Sequence, residues 1–372
     1  MLYPLNNQRP PAPRVQKALH AFVRNIQRGA GAFSDELFPP WFKPVLNARG
    51  RQSALRAKAE KAFGELQRLT GTQKREFLTA FENHNEIQHL CENTATRVRA
   101  LSPFPPSLTA AFAELTEHLY SMTLSKSQTC GEALGLTEPC IPWHFKRFRS
   151  KYKVCCFCGL TDYSPIGKER AQYDHYLHRS LYPLSTANGA NLVPMCDRCN
   201  SMANKGQKDI IRKSGARRHA FFPYAPCSGV AVTARCLQPD RVQRNARWEV
   251  EVLPRTSAER EKVGTWLDVF RIKDRYQETL STDSATWLQQ QLSDWVESRS
   301  VKGVGNLRTF FRMKSQKLQE ELPKTEKAIV MQAMFSHMAS AQGSVLRGLI
   351  DNLQTAYASR SANRGKRTLT EQ

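Results

Sequence analysis

The chain has 372 residues, 40% of them hydrophobic, and a formal net charge of +22. That apolar content can fill packed cores and excludes wholesale disorder, and the absence of any run of about 18 apolar residues excludes an ordinary membrane span. The first fifteen residues are rich in proline and polar groups and lack an apolar signal segment, so a cytoplasmic protein is expected, and the basic excess points to a polyanion, nucleic acid ahead of a membrane surface.

Residues 1–13 carry four prolines and read as an irregular arm. Val15, Leu19, Phe22, Val23 and Ile26 then recur every three or four residues, which puts them on one helical face. A weaker pattern covers 51–91. Leu108, Phe112, Leu115, Leu119 and Met122 repeat the stripe after the Pro103–Pro106 break, with Ser107 as a candidate cap. These segments predict an α-helical domain over 14–140. Apolar periodicity fades between 150 and 222, where Cys, Asp, His, Asn, Gly and Pro become frequent. Val230–Leu237 and Trp248–Leu253 read as strands of a short β segment over 223–256. A second helical domain is expected over 257–358. Its stripes are Val263, Trp266, Leu267 and Phe270; Leu288, Leu292, Trp295 and Val296 behind a cap at Asp283 or Ser284; and Leu307, Phe310, Phe311 and Leu318. The tail, 359–372, reads as disordered and basic. The fold class is α+β: a mainly helical multidomain protein with a small cysteine-rich module, 141–222, at its centre.

Charge and cysteine both concentrate in that module. Residues 1–140 carry a net +5, 141–220 a net +10 and the remainder +7. A focused basic block suits phosphate neutralisation, because each Lys or Arg near a phosphate releases counterions. Of the ten cysteines, Cys155, Cys156, Cys158, Cys196 and Cys199 form two tight groups, and the other five read as small buried apolar residues. Cys155-x-x-Cys158 and Cys196-x-x-Cys199 lie 37 residues apart. Two such knuckles predict a tetrahedral structural zinc site with four thiolate ligands. Cys156 is a bystander, since it makes a poorer chelating pair with Cys158. A redox pair is the alternative for either knuckle alone, and the presence of two argues against it.

Between and just beyond the knuckles lie Asp174-His175, Asn191, Asn200 and Lys205-Gly206. A purely structural zinc module needs none of these, whereas phosphodiester cleavage has a use for each. An imidazole takes a proton from water near neutral pH. A carboxylate and an amide oxygen are hard ligands for a Mg²⁺-like ion, which stabilises charge on the phosphate, and a second amide can orient the imidazole. On an extended segment the side chains of Asp174 and His175 diverge, one toward metal and one toward water. Near a helix start, Cys199 and Asn200 are rotated by about 100°, so one can face zinc and the other a second ion.

This order of residues resembles the HNH endonucleases with a ββα-metal finger, in the prokaryotic branch braced by a four-cysteine zinc. The resemblance covers about 70 residues, 150–222. It implies that His175 is the general base, that Asp174 and Asn200 bind a catalytic Mg²⁺ or Mn²⁺, and that Asn191 orients His175. Asn200 stands where many relatives have His, an HNN variant, and His178 stands where many have Pro and reads as a surface substitution. It also implies DNA as the substrate and, more distantly, an effector role in bacterial defence against phage. Lys146, Arg147, Arg149, Lys151 and Lys153 before the finger, Arg179 within it, and Lys205, Lys208, Arg212 and Lys213 after it are the candidate nucleic-acid contacts. Control by a regulatory partner or by self-assembly through the helical flanks is expected. The alternatives are a non-catalytic zinc-finger module that holds nucleic acid, and an RNA-directed nuclease or toxin.

Overall fold

A computed structural model describes residues 2–6, 8–48, 54–163, 173–238, 247–297, 304–322 and 324–347. The chain divides into two compact units, Met1–Gly229 with Thr256–Phe270, and Val230–Arg255 with Arg271–Gln372. The tail expected at 359–372 lies outside the described residues.

The first unit begins with the arm, which is irregular yet packed: Leu2, Leu5 and Ala12 are buried. Tyr3 N donates to Cys156 O at 3.0 Å and Leu5 N to Pro223 O at 2.9 Å. Helix α1 (Pro13–Gln27) starts on a proline, whose missing N–H is not needed in the first turn, and buries the expected stripe from Val15 to Ile26. Then come α2 (Lys43–Leu46), α3 (Ala54–Gln67), α4 (Gly71–Asn85), α5 (Ile87–Glu92) and α6 (Pro106–His118), which runs into a π-turn at Leu119–Leu124. Thr70 and Gln73 form a capping box ahead of α4, each side chain bonding the other's backbone N–H. Ser107 is not the cap expected of it: α6 already begins at Pro106, and Ser107 Oγ donates to Glu65 Oε2 at 2.6 Å. Helices α7 (Gln128–Ala133) and α8 (Cys140–Lys151) complete the run. The core is aromatic, with Phe22 stacked on Phe38 at 4.6 Å and Phe77 against Phe112 at 4.7 Å.

The same unit holds the cysteine-rich module. Strands β1 (Tyr173–His175) and β2 (Leu192–Pro194) pair antiparallel with His175 opposite Leu192, and the short helix α9 (Asp197–Asn200) follows. A second small hairpin, β3 (Arg212–Lys213) and β4 (Ala216–Arg217), turns through Ser214 and Gly215, both at positive φ. Helix α10 (Arg260–Phe270) returns to the first knuckle, where Trp266 Nε1 donates to Phe157 O at 2.9 Å. The helical segment and the finger expected as separate domains therefore share one unit. Thr116 of α6 donates to Pro183 O at 2.8 Å, and Asn85 of α4 to Leu184 O at 3.1 Å, so two helices hold the β1–β2 loop.

In the second unit, β5 (Val230–Gln238) pairs antiparallel with β6 (Arg247–Pro254), with a register irregularity between Cys236 and Gln238. One face of the hairpin, including Val232, Trp248 and Val250, is buried. Helices α11 (Ile272–Glu297) and α13 (Ala328–Ser340) pack against it, and α12 (Val304–Glu320) packs on α13. The cap expected at Asp283 or Ser284 is absent, because α11 runs unbroken through both. Asp283 instead pairs with Lys327 at 2.8 Å, and Ser284 Oγ accepts from Trp248 Nε1 at 3.1 Å. No helix among the described residues is long and apolar enough to cross a membrane.

Candidate metal centre and active site

The four knuckle cysteines converge. Cys155, Cys158, Cys196 and Cys199 are all buried, and their sulfurs lie within 4.8 Å of one another. Cys155 Sγ to Cys199 Sγ and Cys158 Sγ to Cys196 Sγ are each 3.8 Å apart. A tetrahedron with metal–sulfur bonds of about 2.3 Å has edges of about 3.8 Å, so the cluster has the dimensions of a four-thiolate zinc site. The local backbone explains the convergence. Gly159 takes a positive φ of 65°, its N–H donates to Cys155 O at 2.8 Å, and Leu160 N approaches Cys158 Sγ at 3.5 Å. Cys156 points elsewhere; its backbone N–H donates to Tyr163 Oη at 3.0 Å. Of the other five cysteines, Cys91, Cys130 and Cys140 are buried, while Cys227 and Cys236 are only half-buried.

The four-cysteine cluster joins the two ends of the finger, and His175 sits at the end of β1 with only 6% of its surface exposed. Its Nε2 lies 3.0 Å from Thr186 O. A carbonyl only accepts, so Nε2 carries the proton and Nδ1 the basic lone pair. Burial first, then the Arg179 charge, pushes the imidazole down to about 3, so it is neutral at physiological pH. The Tyr120 ring packs edge-on against it at 4.5 Å.

Asn191 is fully buried but makes no bond to His175. Its Oδ1 accepts from Leu177 N at 2.7 Å, and its Nδ2 donates to Leu177 O at 3.0 Å and approaches Ser185 Oγ at 3.2 Å. The orienting amide expected of it is thus replaced by the Thr186 carbonyl, and Asn191 acts one step back by pinning the loop that carries it.

Asp174 is buried, and burial raises its carboxyl above the ordinary value while the Lys205 ammonium pulls it back. Lys205 Nζ lies 2.5 Å from Asp174 Oδ2 and donates to His175 O at 2.9 Å. The Lys205 side chain has no exposed surface, which removes it from the nucleic-acid contacts expected from sequence. The turn after α9 brings it inward: Lys205 N donates to Cys199 O at 3.2 Å, and Gly206 takes a φ of 44° against Met202. Asn200, at the end of α9, is exposed. Asp174 and Asn200 offer the hard oxygen donors that Mg²⁺ or Mn²⁺ takes.

The remaining basic candidates lie at or near the surface. Lys146, Arg147, Lys151, Lys153, Arg179, Lys208 and Lys213 are exposed, and Arg149 and Arg212 are half-buried. Several already have partners: Lys146 pairs with Glu138, Arg179 with Glu117 at 2.6 Å, and Lys213 with Asp268 at 2.8 Å. Arg147 lies over the Trp143 ring at 4.9 Å. Exposed pairs of this kind are worth little. His178, half-exposed, bonds Ser180 Oγ at 2.7 Å and closes the turn after β1.

No known protein family, curated protein or solved structure matches the chain.

Proposed function

We propose that the chain is a metal-dependent endonuclease of the HNH type that hydrolyses phosphodiester bonds in DNA. The observation that carries the reading is the His175–Thr186 bond: a neutral imidazole held in one tautomer at the end of β1, directly beside the Asp174 carboxylate, on a hairpin braced by four clustered cysteines. In this reading Nδ1 of His175 takes the proton of the attacking water, and the Thr186 carbonyl steadies the imidazolium that results. A divalent ion on Asp174 and Asn200 supplies stabilisation of the phosphate and leaving-oxygen charge when bound. Arg147, Arg179 and Lys213 bind the backbone by trading their surface partners for phosphates.

The test is cleavage of supercoiled plasmid with Mg²⁺ or Mn²⁺. His175→Ala should lower the rate by roughly 10²-fold or more, the scale of general-base loss, while keeping the metal content of the cysteine cluster. Equal nicking by both proteins, or none by either, would overturn the catalytic reading. The Asp174–Lys205 pair favours one rival, a finger that grips nucleic acid without cutting it, since the carboxylate already has a cation. Retained DNA binding without cleavage in that assay would select it, and preferential cutting of structured RNA would reassign the substrate.

A further inference from the structure

The fully buried Lys205 is the feature of the finger that the nuclease reading leaves without a role. Its ammonium touches both halves of the Asp174-His175 dipeptide, through Asp174 Oδ2 at 2.5 Å and His175 O at 2.9 Å. Burying an ammonium is costly unless its partners are fixed, and here the fixing is thorough: the Cys199 carbonyl anchors Lys205 N, and Gly206 forms the tight turn behind it. The charge count at the site follows. Asp174 brings −1, Lys205 +1, the Asn200 amide and the imidazole of His175 none, and the Arg179 charge reaches Asp174 and His175 from outside the pair. A ligand set with no net charge holds a divalent cation weakly, because affinity for hard cations rises with the number of anionic ligands. Lys205 also crowds one of the two carboxylate oxygens, Asp174 Oδ2, which has this ion-pair contact and no hydrogen bond.

We propose that Lys205 is a built-in counter-cation that makes divalent-metal binding at Asp174 conditional on nucleic acid, whose phosphate supplies the missing negative charge. This rests on the nuclease reading and adds a control to it. The free protein holds no catalytic ion, and the site is completed only on its substrate. A strongly basic nuclease is thereby kept inactive until a phosphate backbone is seated.

Mn²⁺ binding, followed by the loss of the free-ion paramagnetic resonance signal, tests this without reference to turnover. The full-length chain carries His175→Ala so that a short DNA duplex survives, and the signal of duplex alone is subtracted. Without DNA, Mn²⁺ binding should be at least about tenfold weaker than with it. Lys205→Met, which keeps the length of the side chain and removes its charge, should restore tight binding without DNA, and Lys205→Arg should not. Asp174→Asn should abolish the site in every arm. Equal Mn²⁺ affinity with and without DNA in the Lys205 chain would overturn the proposal, and that comparison needs no variant at 205 to fold. If Asp174→Asn removes a site whose affinity does not depend on DNA, the counter-cation role fails and the metal assignment stands. If Asp174→Asn changes nothing, both fall.

Discussion

The Nε2–H of His175 donates to the main-chain carbonyl of Thr186, 3.0 Å away. A backbone group eleven residues downstream, and not a side chain, therefore selects the tautomer and aim of the proposed base. The Thr186 carbonyl is itself placed by a turn that Asn191 and Thr116 hold from two sides.

Replacement of Asn191 by Ala should therefore damage the base from a distance. The change strands the Leu177 N–H and C=O in a buried position. At roughly 1–3 kcal/mol per buried unsatisfied group, the loss is about 2–6 kcal/mol in chemical denaturation. Plasmid cleavage should fall with it, while zinc content stays. A destabilisation below about 0.5 kcal/mol, the scale of an ordinary surface change, would show that the loop is held by other contacts.

The cysteine cluster gives the largest stability effect. Metal analysis should find one zinc per chain at these four thiols. Structural zinc sites contribute folding free energy directly. Cys196→Ser should release the ion and lower the melting temperature of the first unit by roughly 10 °C or more. Cys156→Ser, outside the cluster, should keep the zinc. Full zinc retention by Cys196→Ser would contradict the site.

The Lys-Gly pair shows where the sequence was legible and where it was not. Knuckle spacing alone located the four thiols, because ligand geometry is local and the chemistry admits few alternatives. Helical stripes such as that of α1 read directly from a spacing of three and four. The capacity of Lys205 to turn inward did not read at all. A lysine looks the same in sequence whether it faces solvent or a buried carboxylate, and only the turn through Gly206 decides between them. The cap expected at Asp283 or Ser284 failed for a similar reason: both side chains bond across space, to Lys327 and Trp248, inside a continuous helix. Thr116 and Asn85 bond the β1–β2 loop across the boundary expected near residue 140, a long-range pairing that no local pattern announces.

Gly206→Ala isolates that turn. The backbone there sits at a φ of 44°, and an added Cβ would come within 3.0 Å of Met202 Cα. A non-glycine residue held in the left-handed region costs about 1–3 kcal/mol. The variant should lose that much in denaturant unfolding and, by shifting Lys205, should weaken the distinction between Mn²⁺ binding with and without DNA. Unchanged stability would mean that the turn is looser than its contacts indicate.

The last prediction concerns pH. His144, on α8, is buried between Tyr173 Oη and Gln8 O, the latter accepting from Nε2 at 2.8 Å. Burial pushes its imidazole down to about 4. In the unfolded chain the same group takes up a proton near pH 6.5. Between those values the unfolded state binds more protons than the folded one, so stability rises with pH. The contribution is fully present above about pH 6.5 and is lost progressively as pH falls toward 4. At about 1.36 kcal/mol per unit, the loss between about pH 7 and 5 is on the order of 2 kcal/mol. His175, whose imidazole burial also pushes down, titrates over the same range, so the comparison must be internal. His144→Gln keeps a hydrogen-bonding side chain and removes the titration. The variant should be less stable than the wild type at neutral pH, and that difference should shrink as the pH is lowered to about 5. A gap between the two proteins that stays constant with pH would show that His144 does not couple the arm at Gln8 to β1 at Tyr173 through its neutral form.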